Sequence, residues 1–168
     1  MPSILGDTLQ NFLKQIEQRS ITVGVLGLGY VGLPLAVAFA EAGFKVIGLD
    51  VNDERVDRLN SGDSYIADVP TQALAKQVED GRLTATTEGR KIAEMDAVVI
   101  CVPTPLSKTR DPDVSYIMAA AEEVSRHIHP GMLVIMESTT YPGTTEEVLL
   151  PTLSVNDLVV GEDYYLAF

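Results

Sequence analysis

Residues 21–32, ITVGVLGLGYVG, set the tightest limit on what this chain can become. A short apolar run enters a turn with glycine at positions 27, 29 and 32, and an apolar helical stretch leaves it. That order suits a dinucleotide site. A buried strand delivers the chain to a crevice, where Gly27 permits a tight turn, Gly29 removes the Cβ that would block a pyrophosphate, and Gly32 lets the next helix pack closely on its strand. A helix over about residues 30–42 then aims free N–H groups and the positive end of its dipole at the phosphates. A second apolar run, FKVIGLD, ends on Asp50, about 20 residues on, where such sites place a carboxylate for the ribose hydroxyls. A 2′-phosphate beside that acid would bring like charges together, so the reading is NAD rather than NADP. Arg55 follows five residues later and reads as a cover for the adenine, a partner for a 2′-phosphate or a solvated helix residue.

The totals fit one domain with a real core, because 168 residues bury roughly two-thirds of the surface of the unfolded chain. The formal charge of −12 argues against nucleic acid or an anionic membrane as partner, since both need clustered Lys and Arg. It leaves open a phosphorylated small ligand held by backbone N–H groups. Cys101 is the one cysteine, so no internal disulfide forms; a reducing compartment, the cytoplasm, is the expected location. No segment approaches the roughly 20 apolar residues of a membrane span, and no basic flank precedes an apolar signal core.

Along the chain, Leu5, Leu9, Phe12, Leu13 and Ile16 recur at helical spacing, so residues 1–20 read as an added helix docked on the sheet, with Asp7 as its N-cap and a loose Met1-Pro2-Ser3 start. Residues 21–168 read as the nucleotide-binding domain. Asn52 or Asp53 caps a helix closed by Gly62, the loop SGDSYIADVP leads to a helix over 72–79, RLTATT is a short strand, and 88–95 is another short helix. AVVICV, residues 97–102, is continuous and β-branched, as a strand buried on both faces requires. Pro103-Thr104-Pro105 ends it, and a polar loop runs to Asp113. Val114, Ile117, Ala121, Val124 and Ile128 mark a helix stopped by His129-Pro130-Gly131. MLVIM and DYYLAF supply two more strands, and Thr144 with Glu147 has capping-box spacing. Six strands joined through helices predict a doubly wound α/β fold, a parallel sheet in the order 3-2-1-4-5-6 with helices on both faces.

That order puts strands 1 and 4 side by side at the switch point. The glycine turn then faces the loop carrying Thr104, with Glu137, Ser138 and Thr139 leaving strand 5 alongside. A hydroxyl there is placed to hold a water or the nicotinamide amide, and Thr144 and Thr145 begin a helix whose amides face an anion. Cys101 lies in an apolar strand and reads as an inert small hydrophobe. His127 and His129 sit at a helix C-terminus without metal-ligand partners, and no metal site is expected.

Taken together, GLGYVGLPLA, VIGLDVN, ICVPTPL and ESTTYPGTTEE resemble the NAD-binding domain of the UDP-glucose/GDP-mannose dehydrogenase family. The GDSYIADV stretch and the Glu before Ser138-Thr139 are most similar to the branch acting on UDP-N-acetylhexosamines, the UDP-N-acetylglucosamine or UDP-N-acetylgalactosamine 6-dehydrogenases. Such enzymes oxidise the C6 alcohol of the sugar to a carboxylate in two NAD-dependent steps, through a thioester on a cysteine. The resemblance implies cofactor contacts at Tyr30, Val31, Asp50, Arg55, Thr104 and Thr145, and a water ordered by Thr139. In that family the nucleophilic cysteine, the residues beside it, the dimer-forming helix and the UDP-binding domain come after the stretch that Phe168 ends. The resemblance therefore implies an N-terminal fragment of a homo-oligomeric enzyme that binds NAD but does not turn over sugar nucleotide. Two other readings compete: a dehydrogenase of the β-hydroxyacid or 6-phosphogluconate type, and a stand-alone module that senses dinucleotides without catalysis.

Overall fold

Apolar runs alternate along this chain with amphipathic stretches; those at 23–26, 46–48 and 97–100 become strand residues buried on both faces of a sheet, whereas 83–86 and 165–167 stay partly exposed. The structure is a computed structural model that describes residues 4–105, 113–155 and 157–168; the side chains of residues 4–8 are not among those described. The Met1-Pro2-Ser3 start, the Leu5 side chain and most of the polar loop before Asp113 fall outside those residues.

The strands are β1 (Thr22–Leu26), β2 (Lys45–Leu49), β3 (Leu83–Thr86), β4 (Ala97–Ile100), β5 (Leu133–Met136) and β6 (Tyr165–Ala167). They form one parallel sheet in the order β3-β2-β1-β4-β5-β6, the doubly wound arrangement expected from the sequence. In register, Leu26 lies between Leu49 and Ile100, so the ends of β1, β2 and β4 finish level beside the glycine turn.

The helices are α1 (Ile4–Glu17), α2 (Gly32–Glu41), α3 (Asp53–Asn60), α4 (Thr71–Glu79), α5 (Ser115–Ser125) and α6 (Leu150–Leu153). Because successive strand residues point to opposite faces, Val23, Val25 and Val99 meet Leu33, Ala36, Leu59 and Leu74 on one side of the sheet. Leu26, Val98, Ile100 and Val134 meet Ile117, Ala121 and Val124 of α5 on the other.

Several elements begin or end where a particular backbone group finds its partner. α1 starts at Ile4, so Asp7 lies inside it rather than capping it. Phe12 is buried and stacks on Tyr165 of β6 at 6.4 Å, whereas Leu9 and Leu13 stay exposed, so only part of the apolar stripe is docked. Asn52 caps α3, its side chain accepting from the Arg55 amide at 3.0 Å. β4 stops at Ile100, two residues short of the apolar run, as the chain turns away into Pro103, which has no N–H to extend the ladder. α5 ends at Ser125, although Ile128 is still buried.

The capping box at Thr144 and Glu147 does not form. Thr144 already has helical backbone angles, and its hydroxyl turns back to donate to Tyr141 O at 2.9 Å. A single wide π-turn, Thr145–Leu149, leads into α6, where Pro151 lacks the N–H that a tighter turn would use.

The β1 turn and α2 meet backbone against backbone. A Cβ on Gly32 would lie 1.7 Å from the Gly27 carbonyl oxygen, and Gly27 itself has a φ of +91° with the Cys101 carbonyl 2.8 Å from where its own Cβ would stand. Both neighbours are backbone, so neither can swing aside. Gly32→Ala should therefore cost about 3 kcal/mol or more, at or above the upper end of ordinary overpacking. In thermal unfolding of the 168-residue chain this should appear as a fall in Tm of about 6–12 °C.

Candidate functional site

Two residues of the ladder continue past the end of β1 and shape the turn. Gly27 N donates to Leu49 O at 2.8 Å, extending the β1–β2 pairing by one residue. The next amide, Leu28 N, donates to Asp50 Oδ2 at 2.7 Å. Asp50 Oδ1 accepts from Asn52 N at 2.9 Å, and Arg55 Nη1 stands 3.3 Å from Oδ2. The carboxylate is thus sunk into the turn, only 6% exposed, with an arginine on its open side.

Beyond Leu28 the turn opens outward. The Cβ position of Gly29 has nothing within 4 Å. Among the described residues, the amides of Gly29, Tyr30, Val31 and Gly32 have no acceptor, as expected for the first turn of a helix that lacks a capping side chain. The side chains of Tyr30 and Val31 are exposed, the former by 83%. Beside this row lies an open pocket of about 250 Å³, lined by Gly29, Tyr30, Asn52, Arg55, Arg58 and Tyr65. Unpaired N–H groups and a bare backbone suit this edge of the pocket to an anionic ligand, while Arg55 and Arg58 are already paired with Asp50 and Asp63 and Glu54 adds an acid to the lining.

Tyr65 and Arg58 were not singled out from the sequence, yet they complete the pocket. The Tyr65 hydroxyl donates to Leu28 O at 2.8 Å. The Arg58 guanidinium lies 5.5 Å from the centre of the Tyr65 ring and is itself held by Asp63 at 2.7 Å and by the Ser64 carbonyl at 2.9 Å. Burial, reinforced by the nearby Asp50 charge, pushes the Tyr65 phenol up to about 12. The one signal available was the GDSYIADV stretch, which carries no local rule for such a contact.

Gly27, Gly29, Tyr30, Val31, Gly32, Asp50 and Arg55 are therefore gathered at one place. Thr104 is half-buried after β4, and Thr139 is exposed after β5. Thr145, half-buried, opens the π-turn. These three stand at the same carboxyl edge of the sheet, apart from the pocket beside Gly29. Ser138 departs from expectation. Its hydroxyl is buried and donates to Val102 O at 2.7 Å, so it ties the exit of β5 to that of β4 instead of facing a ligand. Among the described residues, no three His, Cys, Asp or Glu side chains are placed to hold a metal ion, and no helix is long and apolar enough to cross a membrane.

Residues 21–167 match the NAD-binding domain of the UDP-glucose/GDP-mannose dehydrogenase family. UDP-N-acetyl-D-mannosamine dehydrogenase of Pyrococcus horikoshii is 39% identical over 146 residues, 86% of this chain and 35% of that protein. UDP-N-acetyl-D-glucosamine 6-dehydrogenase of Salmonella typhi is 36% identical over 150 residues, 88% of this chain and 34% of that protein. The crystal structure of NDP-N-acetyl-D-galactosaminuronic acid dehydrogenase from Methanosarcina mazei Go1 superimposes with a TM-score of 0.81 at 36% identity, over 92% of this chain and 36% of that one. The chain thus spans about a third of the length of these relatives.

Cys101 sits just behind the glycine turn. Burial first, and then the charge of Glu137, raise its thiol to about 12, so the neutral form prevails at all lower pH and the reactive thiolate is scarce. Iodoacetamide at pH 8 should leave Cys101 unmodified in the native chain and alkylate it fully in denaturant, as read by mass spectrometry.

Proposed function

We propose, on the premise that this chain belongs to the UDP-glucose/GDP-mannose dehydrogenase family as its NAD-binding domain, that it serves an enzyme oxidising the C6 alcohol of a UDP-N-acetylhexosamine to the uronate. Two relatives that span most of this chain at 36–39% identity carry N-acetylhexosamine substrates in their names, which supports that sugar class. NAD, when bound, is the oxidant of each of the two steps.

The observation that carries the reading is the open face at Gly29, where nothing lies within 4 Å of the absent Cβ and four successive amides lack acceptors among the described residues. Those amides, with Gly27 and Gly32 shaping the turn, are the groups that would hold the diphosphate. Tyr30 and Val31 flank it. Asp50 Oδ1 has one backbone donor and so retains a lone pair for a ribose hydroxyl of the adenosine, while Arg55 lies beside it on the adenine side. A 2′-phosphate would meet the Asp50 charge, which favours NAD over NADP. Thr104 is the contact proposed on the nicotinamide side, Thr145 a further cofactor contact, and Thr139 the residue that orders a water near the reacting carbon.

The thioester step of this chemistry needs an accessible thiolate, and Cys101 is neither accessible nor ionised. The 168 residues alone are therefore expected to bind NAD without turning over sugar nucleotide. Contact with the UDP-sugar, assembly into a homo-oligomer and a cytoplasmic location belong to the same reading of the whole enzyme.

Calorimetric titration should show binding of NAD in preference to NADP, and no NADH should form with UDP-N-acetylglucosamine or UDP-N-acetylgalactosamine. Gly29→Val should leave Tm within about 2 °C, because a side chain there meets open space and such surface changes cost about 0.5 kcal/mol or less. The same change should abolish measurable NAD binding. Unchanged affinity would remove the diphosphate from this turn.

A further inference from the structure

We infer that Tyr65 is a positioning residue for the cofactor: its hydroxyl, by holding the Leu28 carbonyl, fixes the direction in which the Gly29 amide points. The inference rests on the reading that the Gly29 turn holds the diphosphate, and deepens it by naming what sets the turn for that ligand.

A trans peptide is planar, so the carbonyl of one residue and the N–H of the next point in opposite directions. Holding Leu28 O therefore aims Gly29 N–H away from Tyr65. Two neighbouring peptides are pinned in this way. Asp50 Oδ2 holds Leu28 N at 2.7 Å, which fixes the Gly27–Leu28 peptide, and the Tyr65 hydroxyl holds Leu28 O at 2.8 Å, which fixes the Leu28–Gly29 peptide. No other group among the described residues holds that second peptide through its N–H.

Such a clamp is needed because glycine at 29 removes the steric barrier to rotation. With no Cβ, the Leu28–Gly29 peptide can flip by paired rotations about ψ of Leu28 and φ of Gly29, and Gly29 tolerates positive φ. The flipped form would present a carbonyl to the diphosphate where an amide belongs. The bareness that admits the ligand thus also loosens the donor, and Tyr65 restores its direction from 37 residues away in the chain.

The clip that carries Tyr65 is itself braced. Arg58 lies over the ring and is bonded to Asp63 and to the Ser64 carbonyl, and Ser64 Oγ donates to Ile66 O at 3.1 Å. Because the phenol is pushed up to about 12, the hydroxyl remains a donor across all working pH.

Tyr65→Phe keeps the ring and its packing and deletes the donor alone. In calorimetry it should weaken NAD and ADP by about tenfold, the scale of one oriented hydrogen bond, while adenosine, which has no diphosphate, should bind as to the unaltered chain. Tm should fall by about 1–6 °C, the cost of the one hydrogen bond lost at the part-buried Leu28 carbonyl. In 15N–1H spectra the Gly29 amide should move or broaden while the amides of β4 and β5 stay in place. Tyr65→Met, which also lacks a donor, serves the same comparison should the Phe variant unfold. Equal NAD affinity, an adenosine affinity that falls with it, or an unmoved Gly29 resonance would each overturn the inference. If the unaltered chain binds no NAD and the Gly29 resonance still shifts, the clamp stands and the cofactor reading falls.

Discussion

The hydrogen bond from the Leu28 amide to Asp50 is the point at which the sheet becomes a binding surface. β1 and β2 are paired in register to Leu26 and Leu49, and Gly27 adds one more backbone bond. At Leu28 the chain must leave the sheet plane to enter α2, and its amide would lose its partner there. A buried N–H without an acceptor costs on the order of 1–3 kcal/mol. The carboxylate of Asp50, one residue past β2, supplies that acceptor and lets the ladder end on a side chain. The acid is thus a structural member of the turn before it is anything to a ribose. A substitution at Asp50 therefore removes an acceptor that the turn needs, whereas one at Gly29 meets open space.

What the sequence made legible were features with a local rule. Alternation of apolar runs and amphipathic stretches led to six strands and their order. Glycine spacing pointed to a turn in which Gly27 and Gly32 crowd the backbone and Gly29 faces open space. Asn52 was recognisable as a cap because capping joins residues three apart. Contacts between a side chain and a distant backbone carbonyl have no such rule. Tyr65 meets Leu28 O and Ser138 meets Val102 O only because the sheet order brings them together, and any carbonyl looks like any other in a sequence. Thr144 shows the opposite error. Its spacing to Glu147 satisfied a rule, but the hydroxyl found the nearer Tyr141 carbonyl first.

The half of the crevice beyond β4 is built by the same economy of backbone groups. Cys101 N donates to Leu26 O, and the Cys101 carbonyl lies against Gly27, so the exit of β4 forms the floor on which the glycine turn rests. Ser138 then ties β5 to that floor through Val102 O and leaves Thr139 to point outward. The order of exposure along this short stretch, with Ser138 buried and Glu137 and Thr139 exposed, is that of an extended chain leaving a sheet. It separates a structural hydroxyl from an available one.

The position of the lone cysteine follows from that floor. The Cys101 Cβ lies 3.3 Å from where a Cβ on Gly32 would stand, so α2 closes on the exit of β4 because position 32 carries no side chain. Cysteine packs in that buried place as a small hydrophobe. The contact that lets the turn close also removes the thiol from water and raises it out of the range in which it ionises. Packing that closes the glycine turn and reactivity that needs an exposed thiolate therefore make incompatible demands on one sulfur.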